Sequence, residues 1–169
     1  KSANVSGDGV VFDSDDLSAL KTGSLRVEVK ELAQKDVWQP NLFDGATVTK
    51  DSKINMGNLT INGTSIDTTN KSYSDLVTEI NKISGVQASL IESSDGKFRL
   101  AIKSTETGTA NKINFNTKDI SGNDLGVSSG AAKLFGDGSA LSDSLNVLKA
   151  QNMQLKADGV DYSSSSNTV

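Results

Sequence analysis

The 169-residue sequence contains no cysteine and no histidine. The first absence excludes disulfides and thiolate metal sites, and the second removes the commonest general base and the commonest metal ligand. Acidic residues outnumber basic ones: the chain has 21 aspartates and glutamates and 17 lysines and arginines, which gives a net charge of −4. A nucleic-acid binder needs a basic stripe, and no apolar run approaches the roughly 20 residues that cross a bilayer. The composition therefore predicts no nucleic-acid partner, no membrane partner and no cofactor.

Turn-forming residues are what the sequence has in quantity. It holds 15 glycines and many serines, threonines, asparagines and aspartates, which favour turns and strand ends over long helices. Hydrophobic residues make up 35% and charged residues 22%, enough for a lean core in one or two domains. The chain starts at Lys1 without a methionine or a signal peptide, which predicts an internal part of a longer protein.

The clearest periodicity lies in residues 57–108. Leu59 and Ile61 alternate before Asn62-Gly63, a preferred two-residue hairpin turn. A second hairpin is predicted around Asp95-Gly96, because apolar residues alternate on both sides of it. Between the hairpins, three apolar residues fall on one face of a helix: Leu76, Ile80 and Ile83.

The predicted helix has two candidate N-caps. Ser72 and Asp75 have the spacing of a capping box, whereas Ser74 is a competing N-cap that the sequence does not separate from Ser72. Gly85 follows at a position where a left-handed residue is expected after the helix.

The two ends of the chain predict strands of a second sheet. Residues 10–12 suggest an edge strand, Val27 and Val29 alternate with charged residues, and a third Asp-Gly hairpin is centred on Asp158-Gly159. Pro40 cannot donate to a sheet ladder and marks a domain boundary. Residues 117–140 are loop-rich, with room for a short helix.

We therefore predict an α+β, β-dominated fold of antiparallel sheets and hairpins with one or two short helices. In this prediction one domain is inserted into another. Residues 1–39 and 140–169 form a discontinuous base domain, and residues 41–138 form the inserted outer domain.

Motifs that could carry chemistry are better explained by ordinary structure. The acidic cluster at residues 13–16 has serines where a calcium-binding EF-hand loop needs glycine and glutamate. Gly136-Asp137-Gly138 lacks the remainder of a phosphate-binding motif. The adjacent pairs Lys71-Ser72 and Lys103-Ser104 leave a serine hydrolase only as a weak alternative. No catalytic, cofactor-binding or metal-binding residue is predicted, and the chain is not expected to be an enzyme.

Trp38 is the one tryptophan and the one candidate interface residue. Tryptophan is enriched among the residues that dominate binding energy at interfaces. A tryptophan beside a domain boundary more often packs over the junction, because its burial is so favourable. We favour the second interpretation and keep the partner contact as a candidate.

Three segments together resemble a bacterial family. The central segment, with LTINGTSI, LVTEINKISGVQASL and FRLAIKSTETG, is similar to the Ile-Asn repeat of flagellins and hook-associated proteins. The naming pair corresponds to Ile80-Asn81, and the motif spans residues 57–115. The flanking segments LRVEVKELAQKDVWQ and AQNMQLKADGVDYSSSSNTV resemble the parts of flagellar filament-capping proteins (hook-associated protein 2, the FliD family) around their inserted domain.

This resemblance implies a structural cap at the distal end of the extracellular flagellar filament, without its long terminal helices. Such a cap retains exported flagellin and promotes its folding and polymerisation at the tip. The implied partners are other copies of the protein, in a ring-like homo-oligomer, and flagellin. The alternatives are a surface-exposed adhesin-like module that binds host glycans or mucin, and the head domain of a hook-junction protein or flagellin. The chain itself is expected to be monomeric or weakly associated in dilute solution, since its polar hairpins offer no large apolar interface.

Overall fold

A computed structural model describes residues 26–40, 48–92 and 97–168 of the chain. Three predicted features lie outside these described residues: the edge strand at 10–12, the acidic cluster at 13–16 and the hairpin turn at Asp95-Gly96.

The described residues form short strands and two short α-helices. The strands, in chain order, are β1 Val27–Glu31, β2 Val37–Trp38, β3 Asn58–Ile61, β4 Thr64–Asp67, β5 Val86–Glu92, β6 Phe98–Ser104, β7 Asn116–Lys118, β8 Asp124–Val127, β9 Asn146–Leu148, β10 Met153–Ala157 and β11 Val160–Ser164. The helices are α1 Tyr73–Ile80 and α2 Ser129–Leu134, and single 3₁₀ turns cover Thr109–Asn111 and Asp143–Leu145. Every described ladder is antiparallel. The predicted α+β, β-dominated class is confirmed.

The chain divides into two compact units. The described residues of unit 1 are 26–36, 106–112 and 149–168, and those of unit 2 are the described parts of 37–105 and 113–148. The insertion of one domain into another, with the bounds given above, stays a prediction.

Unit 1 is built on a three-stranded sheet in the order β1-β10-β11. The predicted Asp-Gly hairpin is confirmed, because Asp158 and Gly159 both have positive φ angles, of 48° and 80°, and join β10 to β11. The alternation in β1 also holds, since Val27 is buried while Glu28 faces solvent and pairs with Lys30 at 2.8 Å. The small core of the unit consists of Val27, Ala33, Met153, Leu155 and Ala157.

Unit 2 is built on a four-stranded sheet in the order β5-β6-β2-β9. The β5–β6 hairpin supplies its longest ladder, with seven paired residues on each strand. The hairpins β3–β4 and β7–β8 and the helices α1 and α2 complete the unit. Its core gathers eighteen buried apolar residues, among them Leu59, Leu76, Ile80, Leu100 and Phe135.

Helix α1 begins at the first of its two candidate N-caps. The Ser72 N–H donates to Asp75 Oδ2 and the Asp75 N–H donates to Ser72 Oγ, each at 3.0 Å, which completes a capping box. Ser72, not Ser74, is therefore the N-cap. The helix ends at Ile80, earlier than the spacing of Ile83 and Gly85 suggests, although Gly85 has the expected positive φ of 86°.

The segment 117–140 contains more regular structure than the sequence indicated. Helix α2 confirms the short helix, but the β7–β8 hairpin is a correction to the predicted loop. The hairpin is short and polar, and its bulge disturbs the alternation on which strand prediction depends.

Candidate interaction surface

The base of the β7–β8 hairpin is hydrogen-bonded to the rest of unit 2. Ser128, which follows β8, donates its N–H to the Phe115 carbonyl at 2.9 Å and accepts the Thr60 N–H on its hydroxyl at 3.0 Å. The hydroxyls of Thr60 and Thr117 lie 3.3 Å apart. Thr60 and Ser128 are both buried, so the base of the hairpin is fixed against β3.

The β7–β8 hairpin and β4 lie on opposite edges of β3. Ile61 and Thr64 flank the two-residue Asn62-Gly63 turn, so they form the hydrogen-bonded pair that closes the hairpin and point their backbone groups at each other. Successive residues of a strand point their backbone N–H groups to opposite sides, so the Thr60 N–H points away from β4. It donates instead to the Ser128 hydroxyl. Gly130 of α2 covers the same outer edge, because a Cβ there would lie 2.8 Å from the Asn58 carbonyl oxygen.

Asp119 organises the tip of the hairpin. Its Oδ1 accepts the N–H groups of Ser121 and Asn123 at 2.9 and 2.8 Å, and its Oδ2 accepts Asn123 Nδ2 at 3.0 Å. Hydrogen bonds from Asn123, its backbone N–H first, hold the pKa of Asp119 below its usual range. Gly122 supplies the positive φ, of 85°, that the turn requires. The tip is therefore a preorganised turn.

This ordered tip carries apolar side chains into solvent. Ile120 is fully exposed and Leu125 is 63% exposed. A single exposed apolar side chain is normal, and this hairpin carries two, on a backbone that the hydrogen bonds of Asp119 and Asp124 hold in place. We call this surface, Ile120 with Leu125, the hairpin tip.

A groove of about 350 Å³ lies on the other side of β3, between β4 and the end of α1. Ile66 and Ile83 contribute its apolar lining, and charged residues of both signs stand around it. One pair of these, Lys82 and Glu79, is linked by an ion pair of 3.1 Å. We call this depression the β4–α1 groove.

Trp38 lies inside unit 2. It is 5% exposed, and its ring meets Phe115 edge-on at a centroid distance of 5.4 Å and Phe135 at 6.1 Å. Such aromatic contacts stabilise a core beyond the area they bury. A direct contact between Trp38 and a partner stays a prediction, and little of its surface is open for one in this chain.

The Ile-Asn pair has a structural role that periodicity did not reveal. Ile80 is fully buried. The Asn81 side chain pairs with the backbone of Ala88 on β5: Ala88 N–H donates to Asn81 Oδ1 at 2.8 Å, and Asn81 Nδ2 donates to the Ala88 carbonyl at 3.1 Å. The pair therefore ends α1 and joins it to the edge of the sheet.

The two flanking motif segments meet within unit 1. The Ala33 N–H donates to Asn167 Oδ1 at 2.7 Å, and Asn167 Nδ2 donates back to the Ala33 carbonyl at 3.4 Å. The neighbouring Gln34 exchanges backbone hydrogen bonds with Gln151 at 2.9 and 3.2 Å. The two flanking segments that carry the family resemblance are thus joined to each other by hydrogen bonds.

The weaker chemical candidates have structural roles where they are described. Ser72 caps α1, Ser104 is buried, and Asp137 accepts the N–H groups of Ser139 and Ala140 in an ordinary turn. Within residues 26–40, 48–92 and 97–168, no group of three or more acidic side chains is arranged to hold a metal ion. None of the described helices has the length and apolar character to span a membrane.

Comparison with known proteins connects the fold to one family. No protein-family model matches the sequence. The chain is 36% identical over 107 residues to the flagellar hook-associated protein 2 of Escherichia coli K12, a match covering 62% of this chain and 21% of that protein. It is similar in structure to the D2-D3 domains of the Escherichia coli flagellar cap protein FliD, with a TM-score of 0.61, 25% identity, and coverage of 86% of this chain and 74% of that one. This chain is therefore similar, in sequence and in fold, to part of the flagellar cap protein.

The match lies in the part of the cap protein described as D2-D3. A longer Escherichia coli structure containing D1-D2-D3 gives a TM-score of 0.63 at 26% identity, and this chain covers only 43% of it. The chain spans about a fifth of the length of the curated relative it matches. The cap relatives give no support to the adhesin alternative.

Proposed function

We propose that this chain is a head region of a flagellar cap that works at the distal end of the extracellular filament. The observation that carries the proposal is the 36% identity over 107 residues to hook-associated protein 2. In this function the protein retains exported flagellin and promotes its folding and polymerisation at the growing tip. Its partners are other copies of itself, in a ring-like homo-oligomer, and flagellin.

The geometry of the described residues is consistent with a protein that acts by presenting rigid surfaces to its partners. Hydrogen-bonded turns such as the one around Asp119 present fixed surfaces, and a fixed surface loses little entropy when a partner docks on it. The serines of the two candidate Lys-Ser pairs have structural positions, because Ser72 caps α1 and Ser104 is buried in β6. The proposed mechanism therefore depends on contacts between subunits and with flagellin, and not on bond chemistry.

Deletion of the gene that encodes this chain tests the proposal. We expect the deletion strain to release unpolymerised flagellin into the medium and to carry few or no filaments, while the intact gene on a plasmid restores them. Immunoblots of the supernatant and electron microscopy of cells measure both effects. Normal filaments and no released flagellin in the deletion strain would show that the protein is not the cap. A chimera of the Escherichia coli protein, with this chain in place of its D2-D3 domains, supplies an independent check in a strain that lacks its own cap protein.

A further inference from the structure

The described part of unit 1 is assembled from three separate stretches of the chain, residues 26–36, 106–112 and 149–168. The covalent connections between these stretches run through unit 2. In the β1–β10 ladder, Glu31 pairs with Gln154, so this pair closes a loop of roughly 120 residues when unit 2 is unfolded. Closing so long a loop costs chain entropy before the ladder returns any stability.

The points at which the three stretches leave unit 2 lie side by side in its sheet. Val37 of β2 pairs with Lys103 of β6 on one side and with Leu148 of β9 on the other. Each stretch of unit 1 is joined to the end of one of these three strands. When unit 2 is folded, the loop closed by the Glu31–Gln154 pair therefore shrinks to about ten residues, which favours its closure about 40-fold.

The middle stretch, residues 106–112, ties the other two together, and we call it the strap. The Gly108 N–H donates to the Gln34 carbonyl at 3.0 Å, and Thr107 Oγ1 donates to the Ser165 carbonyl at 2.6 Å. An added Cβ at Gly108 would lie 2.8 Å from Ser165 Cβ, so the strap and the end of the chain are packed closely. Unit 1 is therefore incomplete without a segment that its own strands do not supply.

Both ends of the strap are fixed by the fold of unit 2. The Thr105 N–H, just before the strap, donates to the Gly85 carbonyl at 3.0 Å. Ile113, just after it, is 3% exposed and belongs to the core of unit 2. Unfolding of unit 2 would free both ends, and the strap would then pay the full entropy of ordering in unit 1.

The described cores of the two units differ greatly in size. Eighteen buried apolar residues form the core of unit 2, whereas five form the described core of unit 1, and Ala33 and Ala157 are two of these. A small core supplies little stability of its own. The ladders of the four-stranded sheet join residues of unit 2 to one another, so unit 2 contains the partners that its own sheet needs.

We propose that unit 1 is folded only while unit 2 is folded, whereas unit 2 keeps its fold when unit 1 opens. Unit 2 acts as a platform that shortens the loops of unit 1 and supplies the strap. Any event that opens unit 2 therefore also opens unit 1. This coupling is a property of the chain, and it does not depend on the proposed function.

An aspartate in the core of unit 2 tests the dependence in the full chain. Leu76 is fully buried, and burial of an unpaired charge is strongly unfavourable, so Leu76→Asp should unfold unit 2, as verified by the fluorescence of Trp38. Amide hydrogen exchange then reports on β10 and β11. We expect their protection factors to fall at least about 40-fold, although no residue of unit 1 is changed. Thr78→Asp, at an exposed residue of α1, is the matched control and should leave both units folded.

The reverse substitution tests the direction of the dependence. Leu155 is 3% exposed in the core of unit 1, so Leu155→Asp should abolish the protection of β10 and β11. The fluorescence of Trp38 and the protection of β5 and β6 should stay as in the wild type. Loss of the folded Trp38 signal in this variant would overturn the proposed direction.

Two results would overturn the dependence itself. One is protection of β10 and β11 in a Leu76→Asp protein whose Trp38 fluorescence is that of the unfolded chain. The other needs no substitution: in a urea titration of the wild type, β10 and β11 would stay protected after Trp38 fluorescence had reached its unfolded value. Either result would show that unit 1 folds without unit 2.

Discussion

Replacement of Asn81 by alanine tests the role of the Ile-Asn pair. The Asn81 amide accepts the Ala88 N–H at 2.8 Å and donates to the Ala88 carbonyl at 3.1 Å. Strand β5 is the outermost strand of its sheet, so these two backbone groups point away from β6 and have no ladder partner there. Asn81 takes the place of a neighbouring strand at this position, and alanine cannot.

The cost of the substitution follows from the two lost hydrogen bonds. Each contributes about 1 kcal/mol net, and a backbone group left unsatisfied in a partly buried site adds to the loss. Ala88 is only 9% exposed, so water reaches its backbone poorly. We expect Asn81→Ala to lower the free energy of unfolding of unit 2 by about 2–3 kcal/mol.

Trp38 provides a probe that reports on unit 2 alone. It is the only tryptophan in the chain and lies in the core of that unit, so its fluorescence during urea titration follows the unfolding of unit 2. With a slope of about 2 kcal/mol per molar urea, the midpoint should fall by about 1–1.5 M. The control Gln87→Ala changes an exposed side chain of the same strand and should stay within about 0.5 kcal/mol of the wild type. An Asn81→Ala protein as stable as that control would refute the role assigned to Asn81.

Two further predictions concern unit 1 and the response to acid. Gly108→Ala should destabilise unit 1 by about 2–4 kcal/mol, because Gly108 has φ 102° and an added Cβ would lie 2.8 Å from Ser165 Cβ. Hydrogen exchange of β10 and β11 measures the loss. The control Gly159→Ala, whose Cβ meets nothing within 4 Å, should cost about 1–2 kcal/mol. Equal destabilisation by the two substitutions would contradict the steric argument. Backbone N–H donors lower the pKa values of Asp75, Asp119 and Asp137, so the stability they confer is present above the unfolded value of about 3.9 and is lost as pH falls through the lower folded values. Urea midpoints should therefore fall as the pH is lowered below about 4, and a midpoint that rises on acidification would contradict the assignment.

Local features of unit 2 could be predicted because their physical causes are local. The Asn62-Gly63 turn has both φ angles positive, at 49° and 85°, and this requirement is visible in two adjacent residues. The Ser72–Asp75 capping box is equally local, although only the structure excluded Ser74. The end of α1 was placed too late, because the Asn81 side chain bonds to a strand seven residues further on.

The candidate surface could not be predicted in the same way. Ile120 stands among polar residues in a segment interpreted as loop, and its exposure depends on the bonds that Asp119 makes to Ser121 and Asn123. Trp38 could not be assigned from the sequence either, because its residue type and its position beside a predicted domain boundary agree with both an interface role and a packing role. Its burial depends on Phe115 and Phe135, which are distant in the sequence.

The sequence by itself determined the β-rich class, the two-residue turns, the start of α1 and, through its motif segments, the likeness to flagellar cap proteins. These depend on interactions between residues a few positions apart, or on residue order alone. Only the tertiary structure decided that β1 pairs with β10, that Ala33 meets Asn167, and that the hairpin tip and the β4–α1 groove lie on opposite edges of β3. These features join segments up to 134 residues apart. They arise because each sheet edge and each buried donor must find a partner wherever the folded chain supplies one.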